Sequence, residues 1–283
     1  MRNYSFQYKI INLLVLGLCF IIFFKNYNVQ EILDDTALDL FIILASVAWV
    51  HILKAARLYF AIYGSKISLH RHLKTYSKVT PASILLPFKL GEFFRMYCYG
   101  TETGSAPKGI LTILLDRFMD TLALLTMLTA VCLVSGSAFD PFVFALIVFL
   151  AGLLGAYFLF PGLSAYWKKF LLRIRATPKR LQALSFLEKL KVIYREITAI
   201  SKGRGIILYF LSLFAWGVEI GAVLLISFLK GEADPSDKIS IYLRAALSGA
   251  APIELRQFIF FSLLLMIITY IAESIHEYNH NLR

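Results

Sequence analysis

Glu92 and Arg95 stand three residues apart in Leu86-Pro87-Phe88-Lys89-Leu90-Gly91-Glu92-Phe93-Phe94-Arg95, and Asp116, Arg117 and Asp120 follow inside a second apolar run. On a helix, residues three or four apart share a face, so Glu92 meets Arg95, and Asp116 lines up with Asp120 with Arg117 beside them. In lipid each such group costs at least ~2.5 to 3.5 kcal/mol at the centre of a span, so these groups face a cavity or one another. Two chemistries suit them. The charges can close into a salt-bridge lattice that lets helices pack, or they can split to hold the opposite charges of a lipid headgroup. Arg57, in Lys54-Ala55-Ala56-Arg57, and Glu219 are further ionisable residues within apolar runs. Snorkelling of Lys54 and Arg57 toward a nearby helix end, and a helix-to-helix hydrogen bond for Glu219, are the plain alternatives.

The elements that must position these groups are membrane helices. Of 283 residues, 59% are hydrophobic and only 17% charged, against ~25% charged in an ordinary soluble domain. The net charge of +11 on so apolar a chain points to cytoplasmic loops and anionic headgroups rather than nucleic acid. Cys19, Cys98 and Cys132 are odd in number and lie in apolar stretches, so they read as small hydrophobes and not as a disulfide framework. Six stretches are long enough to cross a bilayer, near 10–27, 38–63, 109–134, 141–161, 206–229 and 257–279, since a crossing takes ~20 residues. The 64–80 segment holds Lys66, Arg71, Lys74 and Lys78, whereas 28–37 and 135–140 hold no Lys or Arg. Both termini are therefore expected on the cytoplasmic side. The stretch 162–205 carries eleven Lys and Arg against Glu188 and Glu196. Its apolar residues recur at helical spacing, which predicts one or two amphipathic helices lying in the headgroup layer.

Two segments are apolar yet interrupted. Residues 80–98 contain Pro81, Pro87 and Gly91, and residues 239–255 contain Gly249 and Pro252 along with Arg244 and Glu254. Each reads as a re-entrant pair of half-helices, the first dipping from the cytoplasm and the second from outside. The expected fold is thus an all-α polytopic membrane protein of about six transmembrane helices plus two re-entrant pairs. It forms a single domain over 1–283, whose halves, 1–134 and 141–283, have the outline of an inverted repeat. Such paired, Gly/Pro-interrupted segments point to a substrate site near the bilayer midplane.

The segment Leu86–Arg95, followed about twenty residues later by Leu115-Asp116-Arg117-Phe118-Met119-Asp120, resembles the flippase-like transmembrane family typified by the membrane half of lysylphosphatidylglycerol synthase. Arg57, Pro87, Gly91, Glu92, Arg95, Arg117 and Asp120 match that family's pattern, while Asp116 stands where Glu is usual. The second interrupted segment departs from it, because Ala250-Ala251-Pro252-Ile253-Glu254 keeps only a Pro and an acid of the family's Gly-rich stretch. The sequence ends at Arg283, soon after the last apolar run, so the expectation is the membrane half without the soluble aminoacyl-transfer domain. The resemblance implies movement between leaflets of a charged-headgroup lipid, either a modified phospholipid or a polyprenyl-phosphate-linked sugar. Lys89, Arg95 and Arg117 would supply cations to a phosphate, and Glu92 and Asp120 would balance the empty site or hold an amine. No cofactor is expected, and no Gly-x-x-x-x-Gly-Lys-Ser/Thr phosphate loop is present. An enzyme of envelope biosynthesis and a second copy of the chain are the protein partners open to it. The abundance of Phe, Ile, Tyr and Lys suits an AT-rich microbe, with a bacterial or archaeal cytoplasmic membrane as the expected location.

Three other readings are weaker. His276-Glu277-Tyr278-Asn279-His280 matches the zinc-binding His-Glu-x-x-His pattern, with Glu273 one turn earlier, but sits at the extreme C-terminus where a helix frays. His70 and His72, two apart, do not share a helix face. A glycosyltransferase using a polyprenyl-linked donor would use acids in the first external loop, where Asp34, Asp35 and Asp39 lie; turn and N-cap roles explain them. A non-transporting membrane subunit of a lipid or polysaccharide synthesis system, held through the basic 162–205 segment, is the remaining alternative.

Overall fold

The structure is a computed structural model that describes residues 29–64, 67–86, 90–136, 141–173, 177–231, 235–248 and 252–281, with scattered residues between 14 and 25. Its described elements are α1 (Val29–Leu33), α2 (Ala37–Ala61), α3 (Leu69–Leu85), α4 (Leu90–Glu102), α5 (Ala106–Ser135), α6 (Pro141–Arg173), α7 (Pro178–Ser201), α8 (Gly205–Leu229), α9 (Pro235–Ser248) and α10 (Ile253–Asn281). Five of these helices, α2, α5, α6, α8 and α10, are long and apolar enough to cross a membrane. The expected first span at 10–27 lies largely outside the described residues. The all-α polytopic membrane class holds.

Caps and breaks follow the local sequence. Thr36 accepts a hydrogen bond from the Asp39 backbone N–H at 3.2 Å and starts α2, satisfying one of the donors that a helix start leaves open. At the other end of the first interrupted segment, Leu86 is extended (φ −74°, ψ 130°) and caps α3. Proline at the next position disfavours helical backbone in the residue before it, which is why α3 ends here.

α3 and α4 pair as a helical hairpin whose arms, Leu69–Leu85 and Leu90–Glu102, reach beyond the 80–98 expected. Its arms are antiparallel. The Tyr99 hydroxyl lies 3.3 Å from His72 Nδ1 toward the open end, and Ser83 hydrogen-bonds Glu92 near the tip. Gly91 lets the tips touch, because a Cβ there would overlap the Ala82 carbonyl and the Ser83 backbone. Gly109 does the same between α4 and α5, where a Cβ would collide with the backbone of Gly100. The hairpin packs between α10 and α5.

Apolar clusters hold the bundle. Leu58, Val79, Cys98, Tyr99 and Ile113 fill the space among α2, the hairpin and α5. Leu128, Trp216, Val223 and Leu243 join α5, α8 and α9, and Val47, Ala215, Ile226 and Phe261 join α2, α8 and α10. Large apolar residues such as Phe41, Trp49, Ile206 and Phe228 are exposed on the outer faces. In water such a surface would be an association hazard, whereas lipid covers it at no such penalty.

Two boundaries differ from expectation. The 239–255 segment is not two short arms: its first arm is α9, and its second is the opening turn of the 29-residue α10. The Pro- and Gly-containing interruption is thus confined to the α9–α10 junction, and the unbroken helix-forming run after Pro252 continues as one helix. The basic stretch also has other bounds. Residues 162–173 extend α6, and α7 folds back antiparallel on it. Tyr157 and Thr198 hydroxyls are 3.1 Å apart, the Phe160 and Tyr194 rings stack at 4.9 Å, and Lys168 reaches Glu188 at 2.9 Å. Stacking and pairing along α6 bury more of the apolar stripe of α7 than an isolated helix could.

Candidate functional site

The charged residues of four helices converge on one place. From α2 comes Arg57, whose Nε donates to Asp116 Oδ1 at 2.7 Å. Its Nη1 donates to Asp120 Oδ1 at 2.6 Å and to the Ser212 hydroxyl of α8 at 2.7 Å. Arg95 on α4 stands 3.1 Å from the other oxygen of Asp116 and 3.6 Å from Glu92. Glu92 is held more closely by Arg117 of α5, at 2.6 Å, and by Ser83 at the end of α3. Arg117 also donates to Ser83 at 2.8 Å and lies 3.9 Å from Asp120. The i,i+3 partners Glu92 and Arg95 therefore divide between other helices, with each making its shorter contact across an interface.

Burial grades across this network. Asp116 is fully inaccessible and Arg57 and Arg95 nearly so, whereas the Arg117 side chain is 41% exposed. A dry floor of Arg57, Asp116 and Arg95 thus carries an accessible lip at Arg117. Removing one partner from the floor would strand an opposite charge away from water, a loss of ~3 to 5 kcal/mol in comparable buried pairs. Two buried donors retain bonding capacity: Arg95 Nε and Arg117 Nε have no hydrogen-bond partner among the described residues, while Glu92 Oε2 and Asp116 Oδ2 are held only by their ion pairs with Arg95.

Glu219 joins the same assembly through contacts between helices. Its Oε1 takes a 2.9 Å bond from Lys54 and its Oε2 a 3.1 Å bond from the Tyr242 hydroxyl on α9. Lys54 also lies over the Trp216 ring at 5.3 Å. Lys54 and Arg57 both turn toward carboxylates of neighbouring helices, Lys54 to Glu219 on α8 and Arg57 to Asp116 and Asp120 on α5. A polar ladder flanks the cluster: His51 Nδ1 and the Tyr76 hydroxyl share a 3.0 Å bond, and His72 donates from Nε2 to the Ala55 carbonyl at 3.0 Å. Lys54, Ser83, His51 and Ser212 were not singled out as site residues by the sequence. Lys54 was recoverable, since it lies three residues before Arg57 on one helix face; Ser212 and Ser83 give no local signal.

Between α2, α3, α4 and α5 these residues enclose a cavity of about 100 Å³, roughly the space of three water molecules. Lys54, Arg57, Arg95 and Arg117 form its cationic wall, and Asp120 is the one carboxylate in its lining. Glu92, Asp116 and Glu219 stand behind the cations.

Other expected residues fall elsewhere. Glu254 pairs with Lys238 at 2.9 Å where α9 meets α10, and Arg244 is half-buried on α9 without lining the cavity. Their place on the second interrupted segment brought neither to the cavity, because that segment is one arm packed behind Glu219 and not a hairpin tip. Pro87 and Lys89 lie outside the described residues. At the C-terminal end, His276 stacks on His70 at 4.5 Å, Glu273 lies 3.2 Å from His70, and Glu277 pairs with Lys74. Among the described residues no group of three or more His, Cys, Asp and Glu could hold a metal ion.

Comparison with known families decides where this arrangement belongs. The model of the lysylphosphatidylglycerol synthase transmembrane region matches residues 9–254, which include every residue of the cluster. The chain belongs to this family. Membership makes it an integral membrane protein with a lipid-related function. No curated protein and no solved structure matches it. Within this lysylphosphatidylglycerol synthase membrane-region fold, Arg57, Glu92, Arg95, Arg117 and Asp120 are the residues that the cluster unites.

Proposed function

We propose that the chain is a lipid transporter that moves a charged-headgroup lipid between leaflets through the groove at the α3–α4 hairpin. The supporting observation is the lining of the cavity, where four cations face inward and their counter-carboxylates, Asp120 apart, stand behind them. Arginine presents a planar fork of donors that matches phosphate oxygens bidentately. Arg117, at the accessible lip, exchanges its Glu92 contact for a phosphate oxygen, and the buried Arg95 offers its unpartnered Nε deeper in. Because Glu92 can take Arg117 back, the headgroup leaves without stranding a charge, and tight trapping is avoided. The acyl tails stay in hydrocarbon throughout.

The cavity volume adds a mechanical requirement. At about 100 Å³ it is below the ~300 Å³ of small-molecule sites, so it admits a phosphate but not a whole sugar or aminoacyl headgroup. Passage of either substrate class, a modified phospholipid or a polyprenyl-phosphate-linked sugar, needs the hairpin to swing from α5. The contacts that must part are those of Arg117 with Glu92 and Ser83.

The test is headgroup accessibility in liposomes containing the purified chain, with labelled anionic, aminoacylated and polyprenyl-phosphate lipids. Wild type is compared with Glu92→Gln and Arg95→Ala at matched folded yield. One lipid class should cross with wild type and slow at least tenfold with both variants. Movement by the variants at the wild-type rate would mean that these charges serve packing alone.

A further inference from the structure

A second cleft, of about 400 Å³, lies between α6 and α7, away from the α2–α5 site. Its volume falls within the ~300 to 1,000 Å³ range of ligand sites. Phe160, Pro161, Leu172, Leu187 and Tyr194 supply apolar walls, and Lys168, Lys169, Lys191 and Arg195 supply the charge. Glu188 is the one acid in the lining and is already paired with Lys168. Among the described residues no ion pair holds Lys169, Lys191 or Arg195. The cleft is thus an apolar slot with a surplus of cations along it.

Its depth in the membrane follows from helix length. The 33 residues of α6 rise about 50 Å at 1.5 Å each, whereas the hydrocarbon core is ~30 Å thick. Along the bilayer normal, about a dozen residues of α6 stand beyond the core. The base of the α6–α7 hairpin is level with the ends of other spans, because Ile200 packs with Ala61 of α2, Leu111 of α5 and Leu208 of α8. Phe160 and Tyr194 therefore sit near the edge of the hydrocarbon, and Lys168 and Lys169 about 12 Å further out. Tyr166 and Trp167, exposed on the same stretch of α6, are residue types that favour this interfacial level.

We infer that the α6–α7 cleft binds an anionic phospholipid of the adjoining leaflet, its acyl chain along Phe160, Pro161 and Tyr194 and its phosphate among Lys168, Lys169, Lys191 and Arg195. This site is separate from the transport groove, and its occupant is a resident lipid that fastens α7 to α6 at the membrane surface. Its occupancy rests on the membrane's anionic lipid content and not on transport.

Photolabelling tests the assignment. The full chain is placed in phosphatidylcholine vesicles containing trace phosphatidylglycerol or trace phosphatidylcholine with a photoreactive acyl chain, and labelled peptides are identified by mass spectrometry. Phosphatidylglycerol should label peptides spanning 157–173 and 187–195 several-fold more than phosphatidylcholine. The double variant Lys191→Gln/Arg195→Gln should lower that labelling about tenfold or more, since each basic residue near a headgroup contributes ~1 kcal/mol. Ala165→Phe, which fills the cleft with no change of charge, should remove the labelling at matched helical content. Equal labelling by the two lipids would overturn the site. So would wild-type labelling in Ala165→Phe, which would mean diffuse attraction to headgroups without a bound lipid.

Discussion

Arg57 and Asp116, 59 residues apart in the chain, meet through a 2.7 Å bond from Nε to Oδ1 with both side chains almost wholly out of reach of solvent. Arg57 also serves Asp120 and Ser212, so one guanidinium ties α2 to α5 and α8. Arg57→Ala leaves two carboxylates without their main partner and should destabilise the chain by ~3 to 5 kcal/mol. Arg57→Lys should recover only part of this, since one ammonium cannot span three acceptors in the guanidinium geometry. Thermal unfolding in detergent micelles is the measurement, and a change under about 1 kcal/mol for Ala would show that the network does not hold the bundle.

Arg117 should separate transport from stability. Its side chain is 41% exposed, and without it Glu92 keeps Ser83 and Arg95 as partners, so the loss should stay near the ~1 kcal/mol of a single hydrogen bond. Arg117→Gln should therefore unfold close to wild type yet move anionic lipid about tenfold more slowly, the equivalent of one lost charge-assisted hydrogen bond. Loss of stability with unchanged transport would reverse the assignment of lip and floor.

Gly91 tests the hairpin itself. A methyl group at this position has no room, because the obstacle is the backbone of Ala82 and Ser83 and not a movable side chain. Gly91→Ala should cost at least ~1 to 3 kcal/mol, as overpacking does elsewhere, and should spread the Ser83–Glu92 contact. Melting temperature and lipid movement are expected to fall together; an unaffected variant would show that the hairpin tips are not in contact.

Lys230 and Asp35 link the end of α8 to the start of α2 at 2.8 Å, with Gln257 donating to Asp35 at 2.6 Å. The hydrogen bond from Lys230, then that from Gln257, lowers the Asp35 pKa, and the bond to Asp35 raises that of Lys230. A lowered carboxyl pKa stabilises the fold above its unfolded value of ~3.9 and loses that effect as pH falls through the folded one. The raised lysine pKa stabilises below ~10.4 and loses its effect as pH rises beyond. Stability should therefore be flat from about pH 5 to 9 and fall on either side. Lys230→Gln should soften both edges; an unchanged profile in melts across pH would rule this pair out as a contributor.

Orientation is open to labelling. A cysteine at 138 should react with an impermeant thiol reagent added outside cells, and one at 178 only after permeabilisation, because the three native cysteines are buried. The reverse pattern would invert the topology drawn from the Lys and Arg distribution.

The spans were legible because each depends on its own residues. The stretches expected at 38–63, 109–134 and 206–229 became Ala37–Ala61, Ala106–Ser135 and Gly205–Leu229, since hydropathy and caps act locally. The site was legible as membership but not as pairing. Glu92, Arg95, Asp116, Arg117 and Asp120 were evident as charges within apolar runs, yet Glu92 bonds more closely to Arg117 than to its own-helix neighbour Arg95. The partner of Glu219 could not be named from the sequence, because Lys54 is 165 residues away.

By itself, the sequence determined that this chain is an all-helical membrane protein and which charged residues stand within its apolar runs. Composition and the helical period suffice for that, as both act over a few turns. Only the tertiary structure decided which helix faces meet. That choice turned Lys54, Arg57, Arg95 and Arg117 inward on one cavity and set Glu92, Asp116 and Glu219 behind them. It also folded α7 back along α6. Contacts of this kind are fixed by close packing, as at Gly91 and Gly109, and by the need of every buried charge for a partner, conditions that span the whole bundle and leave no local mark in the chain.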